Sequence, residues 1–243
     1  MNGFLSVFKR ELKGYFATPV AYVFLVIFLF FAGYLPFKDG FFEIRQAELR
    51  LFFQNLPLLF IFMVPSVAMR LWSEERKTGS IEMLLTLPIT VPQAVLGKFF
   101  AAWAFLAIAL LLTFPMPATV AYLGQPDMGL VITGYIGSFL MAGSFLAIGS
   151  FFSAMTKNQV ISFILSVVAC GILVYAGMST TINYLTSILP QAAVDIVESM
   201  SIQTHFDSIL KGVIEMKDIA YFLVLIVAWI GACGIILEER KAA

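Results

Sequence analysis

The chain has 243 residues, of which 60% are hydrophobic and 12% charged, and its mean hydropathy is +0.94. A soluble domain carries about twice that share of charge, so the composition excludes a soluble globular protein and indicates an integral membrane protein. The 15 Lys and Arg balance the 15 Asp and Glu, which leaves no electrostatic reason to expect nucleic acid or another polyanion as a partner.

In chain order, the first element is FLSVFKRELKGYF, residues 4–16. At about 100° per residue, Phe4, Leu5, Phe8, Leu12, Tyr15 and Phe16 share one face, and Lys9, Arg10 and Lys13 take the other. This pattern predicts an amphipathic helix lying flat at the membrane surface, its cations near lipid headgroups. Glu11 falls at the edge of the apolar face. It is either a solvated edge charge or the partner of a cation in the charged stretch 70–77, with Arg70 the candidate for that ion pair. Thr18-Pro19 then ends the helix and turns the chain into the first span.

A span needs roughly 20 mostly apolar residues. Six stretches qualify, at residues 19–36, 51–69, 99–123, 128–155, 160–178 and 219–237, and none contains Asp, Glu, Lys, Arg or His. Continuous apolar runs predict helices, since barrel strands would alternate in polarity. The first run ends in no small-x-small cleavage site, so it is expected to remain as an uncleaved span.

With six spans the two termini share a side. That side holds ten of the 15 cations: Lys9, Arg10, Lys13, Arg70, Arg76, Lys77, Lys98, Lys157, Arg240 and Lys241. The excess predicts cytoplasmic N- and C-termini. The outer segment 179–218 is too apolar for a plain loop and predicts short helices that lie at the surface or re-enter the membrane before span six. No linker divides the chain, so residues 1–243 are expected to form a single transmembrane domain.

Pro57, Pro65, Pro115 and Pro117 should distort the second and third spans. Small residues form stripes suited to close helix packing: Gly134, Ser138 and Ala142; Gly143 and Ala147; Ser162, Ser166 and Cys170. These faces pack within one subunit or between two, the former being favoured. Cys170 and Cys233 both lie in apolar runs and are expected to be packing residues.

Several chemistries lack their residues. No phosphate-binding Gly-x-x-x-x-Gly-Lys-Ser/Thr motif occurs, because Gly97-Lys98 has Pro92 and Phe99 at the flanking key positions. No metal cluster or catalytic constellation is visible, and the lone His205 reads as an interfacial residue. Ion-coupled transporters keep ionisable groups at depth to bind the coupling ion, and these spans have none. If the protein moves something, the energy is expected from a separate cytoplasmic engine.

One stretch offers that engine a handle. Residues 70–90 read RLWSEERKTGSIEMLLTLPIT, with charges at Arg70, Glu74, Glu75, Arg76, Lys77 and Glu82. Thr78-Gly79-Ser80 should break the second span's helix, Ser80 can cap a new one, and Glu82 would sit near its positive end. Ile81, Leu84 and Leu85 form a small apolar face and Pro88 ends it. The result is a one- to two-turn helix tied to spans two and three, or else an ordinary charged loop.

The stretch SEERKTGSIEMLLTLPIT with Gly97-Lys98 resembles the cytoplasmic loop of ABC-2 type transporter permeases. KRELKGYFATPVAYVFLVIFLFFAGY and HFDSILKGVIEMKDIAYFL are similar to the start and to the last-span entry of that superfamily's gliding-motility type branch; a related branch serves in copper-site maturation. The resemblance reaches from the N-terminus to the last span. It implies an all-α integral membrane protein of six transmembrane helices, the membrane half of an ABC transporter in a prokaryotic cytoplasmic (inner) membrane. Such a subunit is not an enzyme and binds no cofactor itself; ATP and Mg belong to a partner ATPase.

The implied partners are two copies of that cytoplasmic ATPase, a second permease copy in a homodimer or similar heterodimer, and an auxiliary membrane protein with a large extracytoplasmic part. The short helix at 80–87 would be the coupling helix. The ATPase-facing residues would be Glu74, Glu75, Arg76, Lys77, Thr78, Gly79, Ser80, Ile81, Glu82, Leu84, Leu85 and Pro88. The N-terminal helix would add Phe8, Lys9, Arg10, Glu11 and Leu12 to the same junction. The competing readings are a stand-alone channel or secondary transporter and a non-transporting membrane scaffold.

Overall fold

The computed structural model describes residues 3–41, 48–79, 90–188 and 190–242, which form twelve α-helices and no strand. Helix α1 (Gly3–Ala17) ends where the Thr18 hydroxyl donates to the Tyr15 carbonyl at 3.2 Å. Thr18 is extended, and Pro19 opens α2 (Pro19–Lys38), where its missing N–H costs nothing. Helix α3 (Arg50–Ala68) contains Pro57 and Pro65, and only Met69 separates it from α4 (Arg70–Thr78).

The third apolar run starts earlier than its apolar composition suggests. Helix α5 (Val91–Leu111) begins eight residues before Phe99, so Lys98 stands two turns inside a helix rather than before one. The run then breaks at residues 112–114 and resumes as α6 (Pro115–Leu123). Pro115 has no N–H to give an upstream carbonyl, which is the physical reason for the break.

Helix α7 (Met128–Met155) occupies the centre, and Asp127 caps it by accepting from the Gly129 N–H at 2.8 Å. Its small residues let large neighbours approach. A side chain at Gly134 would meet the Phe53 ring, and one at Gly143 would sit 2.8 Å from Trp103. Trp103 stacks on Phe139 with ring centroids 4.3 Å apart and donates its indole N–H to the Phe139 carbonyl at 2.9 Å. In lipid, such close packing is what holds helices together. Ser138, Ala142, Ala147, Ser162, Ser166 and Cys170 are all buried within this one chain. The small-residue faces are therefore spent inside the subunit.

Helix α8 (Gln159–Tyr175) is shorter than the stretch 160–178 suggests, about 26 Å at 1.5 Å per residue. It meets α9 (Ser179–Thr186) at a 72° bend. Two further short helices follow, α10 (Gln191–Ser199) and α11 (Ile202–Ile209), before the long α12 (Met216–Ala242). Five helical segments are long and apolar enough to cross a membrane, and the bent α8–α9 pair makes a sixth if it counts as one span.

Helix α1 buries a face slightly rotated from the one its periodicity suggests. The stripe it turns inward runs Phe4, Val7, Phe8, Glu11, Leu12 and Tyr15, and its target is α5. Val7 fills the space over Gly97, and Tyr15 stacks on Phe105 at 5.1 Å. Leu5 and Phe16 stay exposed. The rotation puts Glu11 in the middle of a packed face instead of at its edge.

A candidate coupling junction at one end of the bundle

Four charged side chains from three helices converge at the α1 end. Lys98 of α5 lies 2.9 Å from Glu75 of α4 and 3.2 Å from Glu11 of α1. Arg10 lies 2.7 Å from Glu11 and 3.8 Å from Glu75. The Lys98 side chain is only 4% exposed, so both carboxylates are needed to offset the cost of taking its charge out of water. Its ammonium also sits 5.3 Å from the centre of the Trp72 ring. Burial alone would raise the Glu11 carboxyl, but Lys98 and Arg10 outweigh it and hold the group below its ordinary range.

Trp72 is anchored in turn. Its backbone N–H donates to Ser153 Oγ at 3.0 Å and its indole N–H to Ser150 Oγ at 3.2 Å. Ser153 donates onward to the Met69 carbonyl at 3.0 Å, at the α3–α4 join. Arg76 is buried and donates to the Ala154 carbonyl in the last turn of α7, where a helix leaves acceptors unsatisfied and favours a cation. Helix α4 is thus fixed to α7 on one flank and to α5 and α1 on the other.

Of the residues singled out in sequence, Glu75 and Arg76 point into these contacts, while Glu74, Lys77 and Thr78 are exposed. Gly79 ends α4 with φ +73°, a left-handed turn that a side chain would strain. Ser80, Ile81, Glu82, Leu84, Leu85 and Pro88, with the helix expected there, lie outside the described residues. The chain returns at Thr90, whose hydroxyl accepts from the Gln93 N–H while the Gln93 side chain accepts from the Thr90 N–H, a capping box that starts α5 firmly. On α1, Phe8 and Leu12 are half-buried and Lys9 is exposed.

The expected Glu11–Arg70 pair is not formed among the described residues. Glu11 turns to Lys98 and Arg10 instead, because α1 packs on α5. Arg70 lines a nearby cavity together with Glu11 and Glu74. Lys98 is the residue that sequence reasoning passed over, read as part of a motif and never as a partner. The signal was present: a lysine followed without interruption by an apolar helix needs a counter-charge.

At the far end, His205 of α11 is more than an interfacial residue. Its Nδ1 lies 2.7 Å from Oδ1 of the buried Asp218 on α12, its Nε2 lies 3.1 Å from the Ser199 carbonyl, and its ring stacks on Tyr221. No group of three potential ligand side chains placed to hold a metal ion occurs among the described residues.

A family model described as ABC-2 family transporter protein matches residues 40–237. The chain belongs to that family. An ABC-2 protein of this kind is the multi-pass membrane component, or permease, of an ABC transporter, generally non-catalytic itself and typically paired with an ATPase subunit. The matched range of this ABC-2 chain holds Glu75 and Lys98, while Glu11 and Arg10 precede it. Comparison with curated proteins gave no match.

Proposed function

We propose that this ABC-2 permease takes up work from a separate cytoplasmic ATPase at the α1 end of the bundle. There it couples ATP hydrolysis to export of a substrate or to action on an extracytoplasmic partner. The observation that supports this reading is the Lys98 cluster, which ties α1 to α4 and α5, the helices on either side of residues 80–89 in the chain. A push on that segment enters the bundle through Gly79 and Thr90 together. From α4 it passes to α7 through Trp72 and Arg76, so two rigid attachments convert a local contact into movement of several helices.

In this reading residues 80–87 form the coupling helix and the whole of 1–243 acts as one transmembrane domain. Two permeases pair, each engaging one of two ATPase copies that carry the ATP and Mg. The α1 end and both termini face the cytoplasm of a prokaryotic inner membrane. The gliding-motility type branch, with its auxiliary extracytoplasmic partner, is the branch whose motifs the sequence resembles.

The test is gentle purification from native membranes with an assay of vanadate-sensitive ATP hydrolysis. A stoichiometric P-loop ATPase is expected, and it should be lost when 79–85 is scrambled in a well-inserted variant. Glu82→Lys should weaken docking or coupling without affecting insertion. A well-behaved preparation that neither contains nor binds an ATPase would favour a channel or scaffold. Orientation has its own check. A cysteine at position 77 should react with an impermeant reagent only after the membrane is opened, and one at 205 without opening it; the reverse pattern inverts the topology.

A further inference from the structure

Beside the junction lie two adjoining openings. The first is a cavity of about 180 Å³ whose polar lining comes from Glu11 and Tyr15 of α1, Ser66 of α3, and Arg70 and Glu74 of α4. The second is an apolar groove of about 420 Å³ between α2 and α3, floored by residues such as Phe28 and Met63 and edged by Ile27, Phe31, Leu58 and Phe62. Phe24 and Ser66 line both, so a charged chamber adjoins an apolar slot. The edge residues are well exposed.

The dimensions and charges describe one kind of occupant. Along α2 the slot runs from Phe24 to Leu35, about 16 Å at 1.5 Å per residue. That is about half of a 30 Å hydrocarbon core, the depth of one leaflet. The chamber stands at the end of the slot nearest α1, where the headgroup of a lipid in that leaflet would lie. Among the described residues, the buried Nε of Arg70 has no hydrogen-bond partner. Buried donors are nearly always satisfied, so this one is open to an acceptor from outside the chain. A guanidinium is the side chain best suited to a phosphate. A purely anionic headgroup would also face the ionised Glu11 and the Glu74 carboxylate. Glu11 already spends its Oε1 on Lys98 and Arg10, which leaves Glu74 for a cation.

We propose that α1, α2, α3 and α4 form a binding site for a single glycerophospholipid with an amine headgroup, from the leaflet on the α1 side. Its phosphate is held by Arg70, its ammonium faces Glu74, and one acyl chain lies in the α2–α3 groove. A lipid seated there touches α1 and α4 at once, so its binding bears on the same elements as the junction without depending on an ATPase.

The experiment uses the full chain in nanodiscs with equimolar phosphatidylethanolamine, phosphatidylglycerol and phosphatidylcholine. Retained lipid is read by native mass spectrometry after release into detergent. Wild type should retain phosphatidylethanolamine over the other two, and Arg70→Gln should lower that retention by about tenfold, as expected for losing a charge-assisted contact. Ile27→Trp, which fills the exposed lip of the groove and leaves the headgroup contacts in place, should lower it as well at unchanged helix content. Equal retention of the three lipids, preference for phosphatidylglycerol, or wild-type retention by both variants would overturn the proposal. So would efficient Ile27→Cys cross-linking between two copies with no lipid retained, since the groove would then be a face between copies. ATPase binding is not read at any step, so the result stands apart from the coupling proposal.

Discussion

The two ends of the bundle solve the same problem with different chemistry. Each buries a charge on a long helix, Lys98 two turns inside α5 and Asp218 in the first turn of α12. At the α1 end, Lys98 is met by two carboxylates and a neighbouring arginine, and three helices are tied through it. At the far end, Asp218 of α12 meets one histidine of α11, whose other ring nitrogen reaches the Ser199 carbonyl at the end of α10. The first is a network with both signs present and several contacts, whereas the second rests on a single carboxylate–imidazole pair. The comparison teaches that the denser charge network stands at the α1 end, where the proposed engine pushes.

The sharpest way to break that comparison is Lys98→Ala. It leaves Glu75 and Glu11 facing each other at a buried site without the lysine, a loss of about 3–5 kcal/mol for a broken buried pair. Thermal unfolding in detergent should show it as a large drop, and α1 should become open to proteolysis. A variant as stable as wild type would mean that the cluster is not what ties the three helices together.

Asp218→Asn should cost less, about 2 kcal/mol, because it weakens a single charge-assisted hydrogen bond. Hydrogen exchange should rise in residues 202–210 and stay unchanged in 70–78. Exchange that rises equally at both ends would erase the difference between them.

The smallest effect concerns Glu11 and pH. Its folded pKa lies below the ordinary 4.5, so its pairing contributes stability that is complete above that value. The contribution is lost as pH falls below 4.5 through the lowered folded value. Unfolding measured between neutral and acid pH should show that loss, and Glu11→Gln should flatten it. An unchanged slope in the variant would assign the acid sensitivity to another carboxylate.

Much of the architecture was legible locally. Charge-free runs marked the membrane-crossing segments because lipid tolerates few ionisable groups. The proline pair Pro115 and Pro117 marked the break in the third run, Gly79 the end of α4, and the stripe Gly134, Ser138 and Ala142 a close-packed face. These are properties of a residue and its near neighbours, set by backbone geometry and side-chain size. The face of α1 was less legible. Phe4, Phe8, Leu12 and Tyr15 were on it, but Glu11 was placed at its edge and Val7 was not assigned to it, because helical periodicity gives a stripe and not the neighbour it meets.

The charges show the limit most clearly. Sequence alone determined that 70–78 is a charged helix end between apolar runs, that Glu11 needed either water or a cation, and that residues 79–90 connect two spans. Only the tertiary structure decided that the cation is Lys98 rather than Arg70, that Trp72 and Arg76 fasten α4 to α7, and that Arg70 is left facing a cavity. The reason is physical. A helix's pattern depends on residues three or four places apart, whereas an ion pair depends on which helices pack together, and Glu11, Glu75 and Lys98 are brought within reach only by the packing of α1 and α4 against α5.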